Sequence, residues 1–153
     1  MAIINRLARL FKADFHAVLD HIEEPELQLK QAVREMEDEI ATLSSKIQSQ
    51  KSELDRLADQ KKSADKLLLK TNDEIAICID NNNDDLARGL IRRKLETSRA
   101  ISSLSESQDK ANKTLKTLQA QHKEYKVTLE STRQKVDLVV SSAISHSEFL
   151  STE

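Results

Sequence analysis

The chain has 153 residues with a single glycine, a single proline and no tryptophan, and a third of its residues are charged. So few turn-forming and bulky apolar residues argue against an ordinary globular core and are typical of long helices and coiled coils. The formal net charge of −2 argues against a chain that as a whole binds polyanions such as nucleic acids.

Three further features bear on the compartment. The longest uninterrupted apolar run, residues 75–79, is far shorter than the roughly 20 residues that span a bilayer, so any membrane contact is expected to be peripheral. Arg6, Arg9 and Lys12 interrupt the apolar residues of the N-terminus, which argues against a cleaved signal peptide. The lone Cys78 excludes an intramolecular disulfide and fits a reducing, cytoplasmic compartment.

Residues 1–22 are predicted to form a short amphipathic helix. Its apolar residues recur at helical spacing, and its first thirteen residues contain no acid. A basic amphipathic helix with bulky apolar residues fits insertion among anionic lipid headgroups. The alternative is that this helix packs on the rest of the chain or on a partner subunit. The candidate membrane-binding residues are Ile3, Ile4, Arg6, Leu7, Arg9, Leu10, Phe11, Lys12 and Phe15.

Residues 25–80 are predicted to form one long helix. Pro25 suits its first turn, where the missing N–H would have no helical partner. From Leu29 to Cys78, apolar residues recur with alternating spacings of four and three, and twelve of these fifteen positions are apolar or cysteine. Such a sustained repeat is a strong coiled-coil signal.

A turn at residues 81–84 and a second helix at residues 85–149 complete the predicted architecture. The turn is rich in asparagine and aspartate, which tolerate turn conformations and cap helices. A second four-three repeat runs from Ala87 to Ala143, with more polar residues, which are expected to weaken the hairpin but to fix its register. Because the connection is short, the helices must run antiparallel. The predicted fold is therefore all-α, a long antiparallel two-helix coiled-coil hairpin (residues 25–150) preceded by a short amphipathic helix.

Several apolar residues fall outside both repeats, near the turn and near the C-terminus. They are either scattered solvent-exposed residues or contacts with other copies of the chain, and their clustering favours the second interpretation. These residues are Leu67, Leu69, Ile77, Ile79, Leu86, Ile91, Leu95, Leu138, Val140 and Ile144.

The sequence shows no pattern typical of catalysis, and we predict no catalytic residue, no metal site and no cofactor. The four histidines lack metal-ligand spacing, and there is no phosphate-binding loop or nucleophile motif. A basic cluster follows the turn, but nearby acids offset its charge and no aromatic residue is placed to stack on bases, which argues against nucleic acid. We expect ion pairs within the helix or between subunits to account for this cluster, which comprises Arg88, Arg92, Arg93 and Lys94.

The chain resembles the phage shock protein A family, which includes the vesicle-inducing protein in plastids and is related in fold to the ESCRT-III membrane-remodelling proteins. The resemblance rests on the amphipathic start Ile-Ile-Asn-Arg-Leu at residues 3–7, followed by Pro25 at the head of a long helix. It also rests on Val-Arg-Glu-Met-Glu-Asp at residues 33–38, on Asp-Asp-Leu-Ala-Arg at residues 84–88, and on the lengths of the two helices.

The resemblance implies a cytoplasmic protein, peripheral on the inner membrane, that polymerises with copies of itself and stabilises or remodels anionic membranes in envelope stress. It places the lipid-facing helix at Ile3 to Phe15 and the assembly contacts of the hairpin tip at Asp85, Leu86 and Arg88. The alternatives are a regulatory adaptor that binds and inhibits an AAA+ transcription activator, and a plain coiled-coil oligomerisation module.

Family members usually continue with further helices, the last of which packs on a neighbouring subunit's hairpin tip. Because the sequence stops at Glu153, we expect either a truncated form or a short natural relative. The mode of assembly is therefore left open, although lateral packing of hairpins is still expected to be possible.

Overall fold

A computed structural model describes the backbone of residues 25–150 and the side chains of residues 27–141, Val139 excepted. It contains two helices, α1 (Pro25–Asp80) and α2 (Asp84–Leu150), which pack against each other. The predicted all-α hairpin is thereby confirmed. The second helix begins at Asp84 and ends at Leu150, whereas the sequence predicted residues 85–149. The predicted amphipathic helix at residues 1–22 lies outside the described residues.

The four-three repeats explain which side chains are buried. Every repeat position whose side chain is described, in α1 and in α2 alike, is buried or half-buried. We call these positions the seam. Because they recur about every 3.5 residues, they form one narrow stripe along each helix, and most of the remaining surface is left to solvent.

The turn between the helices is a compact arrangement of three asparagines. Asn82 adopts a left-handed conformation with φ of 54°, its N–H donates to the carbonyl of Ile79, and the N–H of Asn83 donates to the carbonyl of Cys78. These two bonds are those of a Schellman motif, which satisfies the last carbonyls of α1. The side chain of Asn83 then accepts the N–H of Leu86, so one residue both completes the end of α1 and caps the start of α2.

The described helices contribute to two compact units. The first, which we call the terminal unit, comprises the described residues up to Lys46 and from Leu118 onward. Its core is formed by Met36, Ile40 and Leu129, and Met36 is fully buried. Half-buried residues of both helices pack around these three side chains, namely Ala32, Val33 and Tyr125.

The second unit, Ile47–Thr117, contains the turn, and we call it the turn unit. Small or polar side chains occupy much of its seam: Thr71 is fully buried, and Ala87, Thr97 and Ala111 are buried as well. The hydroxyl of Thr71 donates to the carbonyl of Leu67 at 2.8 Å, and Thr97 bonds to its own helix in the same way. A buried hydroxyl that finds its partner in its own helix costs little but provides no contact with the other helix.

This corrects the expectation that polar seam residues in general fix the register. Buried threonines do not, because their hydroxyls bond to their own helix. In the terminal unit, Ser44 and His122 share a hydrogen bond of 2.9 Å between the helices. In the turn unit, the side-chain amide of Gln50 donates to the carbonyl of Ala111 at 3.4 Å. The Ser44–His122 bond favours one register because it needs two particular side chains to be opposite each other. The Gln50 bond links the helices but is less selective, since every residue of the facing helix offers a backbone carbonyl.

Replacement of Met36 by alanine tests the terminal core. Because Met36 is fully buried, we expect Met36→Ala to lower the free energy of unfolding by at least about 2 kcal/mol. Urea denaturation followed by far-UV circular dichroism measures the change. Leu27, which is 66% exposed in the same helix, provides the control, and Leu27→Ala should change stability by less than about 0.5 kcal/mol. Equal losses for the two variants would contradict the assigned core.

Replacement of Asn82 tests the turn. Alanine tolerates a left-handed backbone poorly, so Asn82→Ala should lower the free energy of unfolding by about 1 kcal/mol, whereas Asn82→Gly should not lower it. The same change to alanine at Gly89 is the control. A Cβ there meets nothing within 4 Å, and alanine favours the helix, so Gly89→Ala should raise stability by about 1 kcal/mol. If Asn82→Ala and Gly89→Ala changed the free energy of unfolding in the same direction, the left-handed cap at Asn82 would be contradicted.

Candidate assembly surface

The three residues predicted to mark the assembly tip lie in the first turns of α2. Asp85, Leu86 and Arg88 are all exposed, and 54% of Leu86 is accessible. The cap on Asn83 fixes the start of the helix and thereby the direction of each side chain. Asp84 and Asp85 occupy the positive end of the helix dipole, where negative charge is favoured.

Leu86 lines an open, apolar recess of about 300 Å³ next to the turn. Ile77 of α1 lies on the same recess and is 60% exposed. The other lining residues are Glu74, Cys78 and Leu90. The sequence pattern placed both Leu86 and Ile77 among the apolar residues that cluster near the turn, but it did not show that they line one recess. What the recess can do is accept an apolar side chain, because two exposed aliphatic groups from different helices converge on it.

The other apolar residues off the seam differ in their exposure to solvent. Leu67 and Val140 are half-buried, and the side chain of Ile144 lies outside the described residues. The exposed members of the predicted set, besides Ile77 and Leu86, are Leu69, Ile79, Ile91, Leu95 and Leu138. Five of these seven exposed residues lie between positions 77 and 95, and two exposed residues outside the predicted set, Leu27 and Val127, belong to the terminal unit. Among the described residues, exposed apolar side chains are therefore most numerous near the turn.

The basic cluster that follows the turn does not form the ion pairs expected within its helix. Ion pairs among the described residues include Arg56–Glu53, Lys70–Glu74 and Arg133–Glu37, and no described ion pair involves a cation between positions 88 and 99. Intrahelical pairing therefore does not account for the cluster. Among the described residues, its charges have no carboxylate within ion-pair distance.

The ion pairs that do form change the pKa values of their members. Hydrogen bonds from Arg56 lower the pKa of the Glu53 carboxyl below its ordinary value, and both side chains are open to solvent. In the terminal unit, Arg133 donates to Glu37 across the two helices at 2.6 Å, and this hydrogen bond raises the pKa of Arg133. Both pairs are surface contacts. Arg56 and Glu53 belong to the same helix, whereas the Arg133–Glu37 pair links the two helices and lines an open groove of about 400 Å³.

The described surface offers shallow grooves between the helices. In the terminal unit, one groove is lined by Tyr125, Leu43, Lys46 and neighbouring polar residues, and it is open to solvent. Among residues 27–141 with described side chains, no group of histidine, cysteine and carboxylate residues is placed to hold a metal ion. His122, on the seam, is hydrogen-bonded to Ser44.

Within the described part of the chain, neither helix contains a segment apolar and long enough to cross a bilayer. The predicted membrane-binding residues, from Ile3 to Phe15, lie outside the described residues. Their role therefore stays a prediction from the sequence.

Comparison with known proteins identifies the family to which the chain belongs. No curated protein matches the chain at a significant level. The model of the PspA/IM30 family, in contrast, matches residues 2–148, which covers both helices, the turn and the amphipathic start. The match extends over nearly the whole sequence, and the chain belongs to the PspA/IM30 family.

Proposed function

We propose that this protein is a non-catalytic scaffold that binds the cytoplasmic face of the inner membrane peripherally, assembles with copies of itself, and stabilises or remodels the membrane in envelope stress. The observation that carries the proposal is the group of exposed apolar residues around the turn, together with basic residues that have no carboxylate partner among the described residues, in a chain that belongs to the PspA/IM30 family. Because the helices bury only one narrow seam, most of their surface is accessible to partners.

Membrane contact is assigned to residues 1–22. Phe11 and Phe15 supply bulky apolar groups, while Arg6, Arg9 and Lys12 supply cations without a nearby acid in the first thirteen residues. Each cation near an anionic surface contributes about 1 kcal/mol, and the apolar face adds its own transfer free energy. The two contributions together favour peripheral binding to anionic lipid.

Self-assembly is assigned to the recess beside the turn. Ile77 and Leu86 expose more than half of their surface, so covering them with an apolar side chain from a second copy removes two aliphatic groups from water. A single recess of this size gives a weak contact, because stable interfaces bury far more surface. Repetition along a polymer, where each copy contributes the same contact, provides the remaining stabilisation.

The membrane assignment is tested by co-sedimentation with anionic vesicles. The double variant Phe11→Asp, Phe15→Asp places two charges on the apolar face of the predicted helix, and its vesicle affinity should fall at least about tenfold. A matched control changes two exposed apolar residues elsewhere, Leu27→Asp and Val127→Asp, and should bind like the unmodified chain. Equal binding by the Phe variant and the unmodified chain would refute the role given to the N-terminal helix.

The assembly assignment is tested by electron microscopy and analytical ultracentrifugation, with and without anionic vesicles. The unmodified chain should form rods, rings or coated tubules, and the double variant Ile77→Ser, Leu86→Ser should shift it toward smaller species because the recess loses its apolar lining. The control Leu27→Ser, Val127→Ser removes a similar exposed apolar area from the terminal unit and should assemble normally. Small discrete particles of the unmodified chain in every sample would contradict a scaffold.

A further inference from the structure

The outward face of α2 carries three arginines on one line. Arg88, Arg92 and Arg99 are spaced by four and seven residues, so at about 100° per residue their side chains leave the helix within about 40° of one another. All three are exposed. Their direction is opposite to the seam positions of the same segment, such as Leu90 and Thr97, so the packing of α1 does not cover them.

Two exposed aliphatic residues lie beside these arginines. Ile91 and Leu95 are 43% and 54% exposed, and they are one helical turn apart. By the same spacing they border the arginine line on one side, and the five residues occupy an arc of about 100°. We call this set the arginine stripe. It combines cations with apolar groups on a single helical face.

The charge of this segment is only partly offset by acids in the described structure, and the segment keeps an excess of cations. From position 88 to position 99 there are five cations and one acid, Glu96. No carboxylate oxygen among the described residues lies within ion-pair distance of any of these cations. Asp84 and Asp85 precede the stripe and reduce the net charge near the turn, but they occupy the first turn of α2, where the helix dipole already stabilises them.

The composition of the stripe favours a lipid surface over other anionic partners. A nucleic acid would use the arginines, but Ile91 and Leu95 would have no stacking or base-reading role, and no aromatic residue lies in this segment. A lipid interface uses both kinds of group, because arginine heads meet lipid phosphates while aliphatic side chains enter the layer beneath them. The stripe resembles the polar–apolar boundary of an interfacial helix.

We propose that the arginine stripe is a second membrane-contact surface, which binds anionic lipid headgroups through Arg88, Arg92 and Arg99 and inserts Ile91 and Leu95 among them. The surface is separate in sequence from residues 1–22, and its binding does not depend on the role proposed for them. With two contact surfaces, one chain gains affinity by engaging lipid at both.

The absence of tryptophan from the sequence allows a direct test. In Leu95→Trp the single indole reports on the stripe, and its fluorescence should shift to shorter wavelength and be quenched by brominated lipid tails when phosphatidylglycerol-containing vesicles are added. Pure phosphatidylcholine vesicles should produce neither effect. The control variant Leu69→Trp reports on α1 of the same unit, at a residue that is 66% exposed, and should not respond.

A second test removes positive charges from the arginine stripe. In the Leu95→Trp chain, Arg92→Gln and Arg99→Gln together should weaken the vesicle affinity read at the indole by about thirtyfold, since each cation contributes about 1 kcal/mol. Arg88 is left unchanged in this variant because the family resemblance also places it among the assembly contacts. Changing three other exposed cations of α2, Lys110, Lys113 and Lys123, to glutamine should have a much smaller effect. Circular dichroism checks that helix content is retained in both.

The outcomes distinguish lipid binding by the arginine stripe from lipid binding by residues 1–22. With Phe11→Asp and Phe15→Asp added to the Leu95→Trp chain, the indole response should persist at saturating vesicle concentration. A Leu95→Trp chain that sediments with vesicles but shows no indole response would overturn the stripe and leave the N-terminal role intact. Three further results would also overturn it: a response to a DNA or RNA oligonucleotide that matches the vesicle response, a response to inorganic phosphate alone, or a vesicle-independent shift that grows with protein concentration, as expected of a face buried between copies.

Discussion

Within the described residues, each helix buries one stripe of side chains, and the other helix is what covers that stripe. The stripe is narrow because the repeat is close to 3.5 residues, and it is short of bulky residues where threonine and alanine replace leucine. Met36, Ile40 and Leu129 therefore form a local core in the terminal unit rather than the centre of a globule. The antiparallel pairing depends in turn on the asparagine turn, which satisfies the backbone groups of both helix ends within three residues.

Because so few side chains are buried, most side chains of the two helices are exposed and can contact partners. The side chains available for function are those that the seam leaves outside, and around the turn they are apolar and basic. Ile77 and Leu86 converge on one recess from different helices, whereas Ile91 and Leu95 border a line of arginines on a single helix. The first arrangement suits an apolar side chain of a protein partner, and the second suits a charged, partly apolar interface such as a lipid headgroup layer.

The polar residues of the seam show how much a sequence pattern can leave undecided. Thr71, Gln50 and His122 all interrupt the apolar repeat, and the sequence predicted the same role for them. Thr71 bonds to the carbonyl of its own helix, while Gln50 and His122 bond across to the other helix. The distinction depends on side-chain length, since the short threonine hydroxyl reaches only the preceding turn.

The sequence by itself determined the hairpin, because helix periodicity, the position of Pro25 and the asparagine turn are local properties that each residue carries with it. It also indicated the family through short motifs at the start and around the turn. The tertiary structure decided which off-seam residues meet, as with Ile77 and Leu86, and which cations have no carboxylate partner among residues 27–141, as with Arg88, Arg92 and Arg99. These outcomes depend on the register of one helix against the other and on which side chains reach one another, and neither follows from the spacing within a single helix.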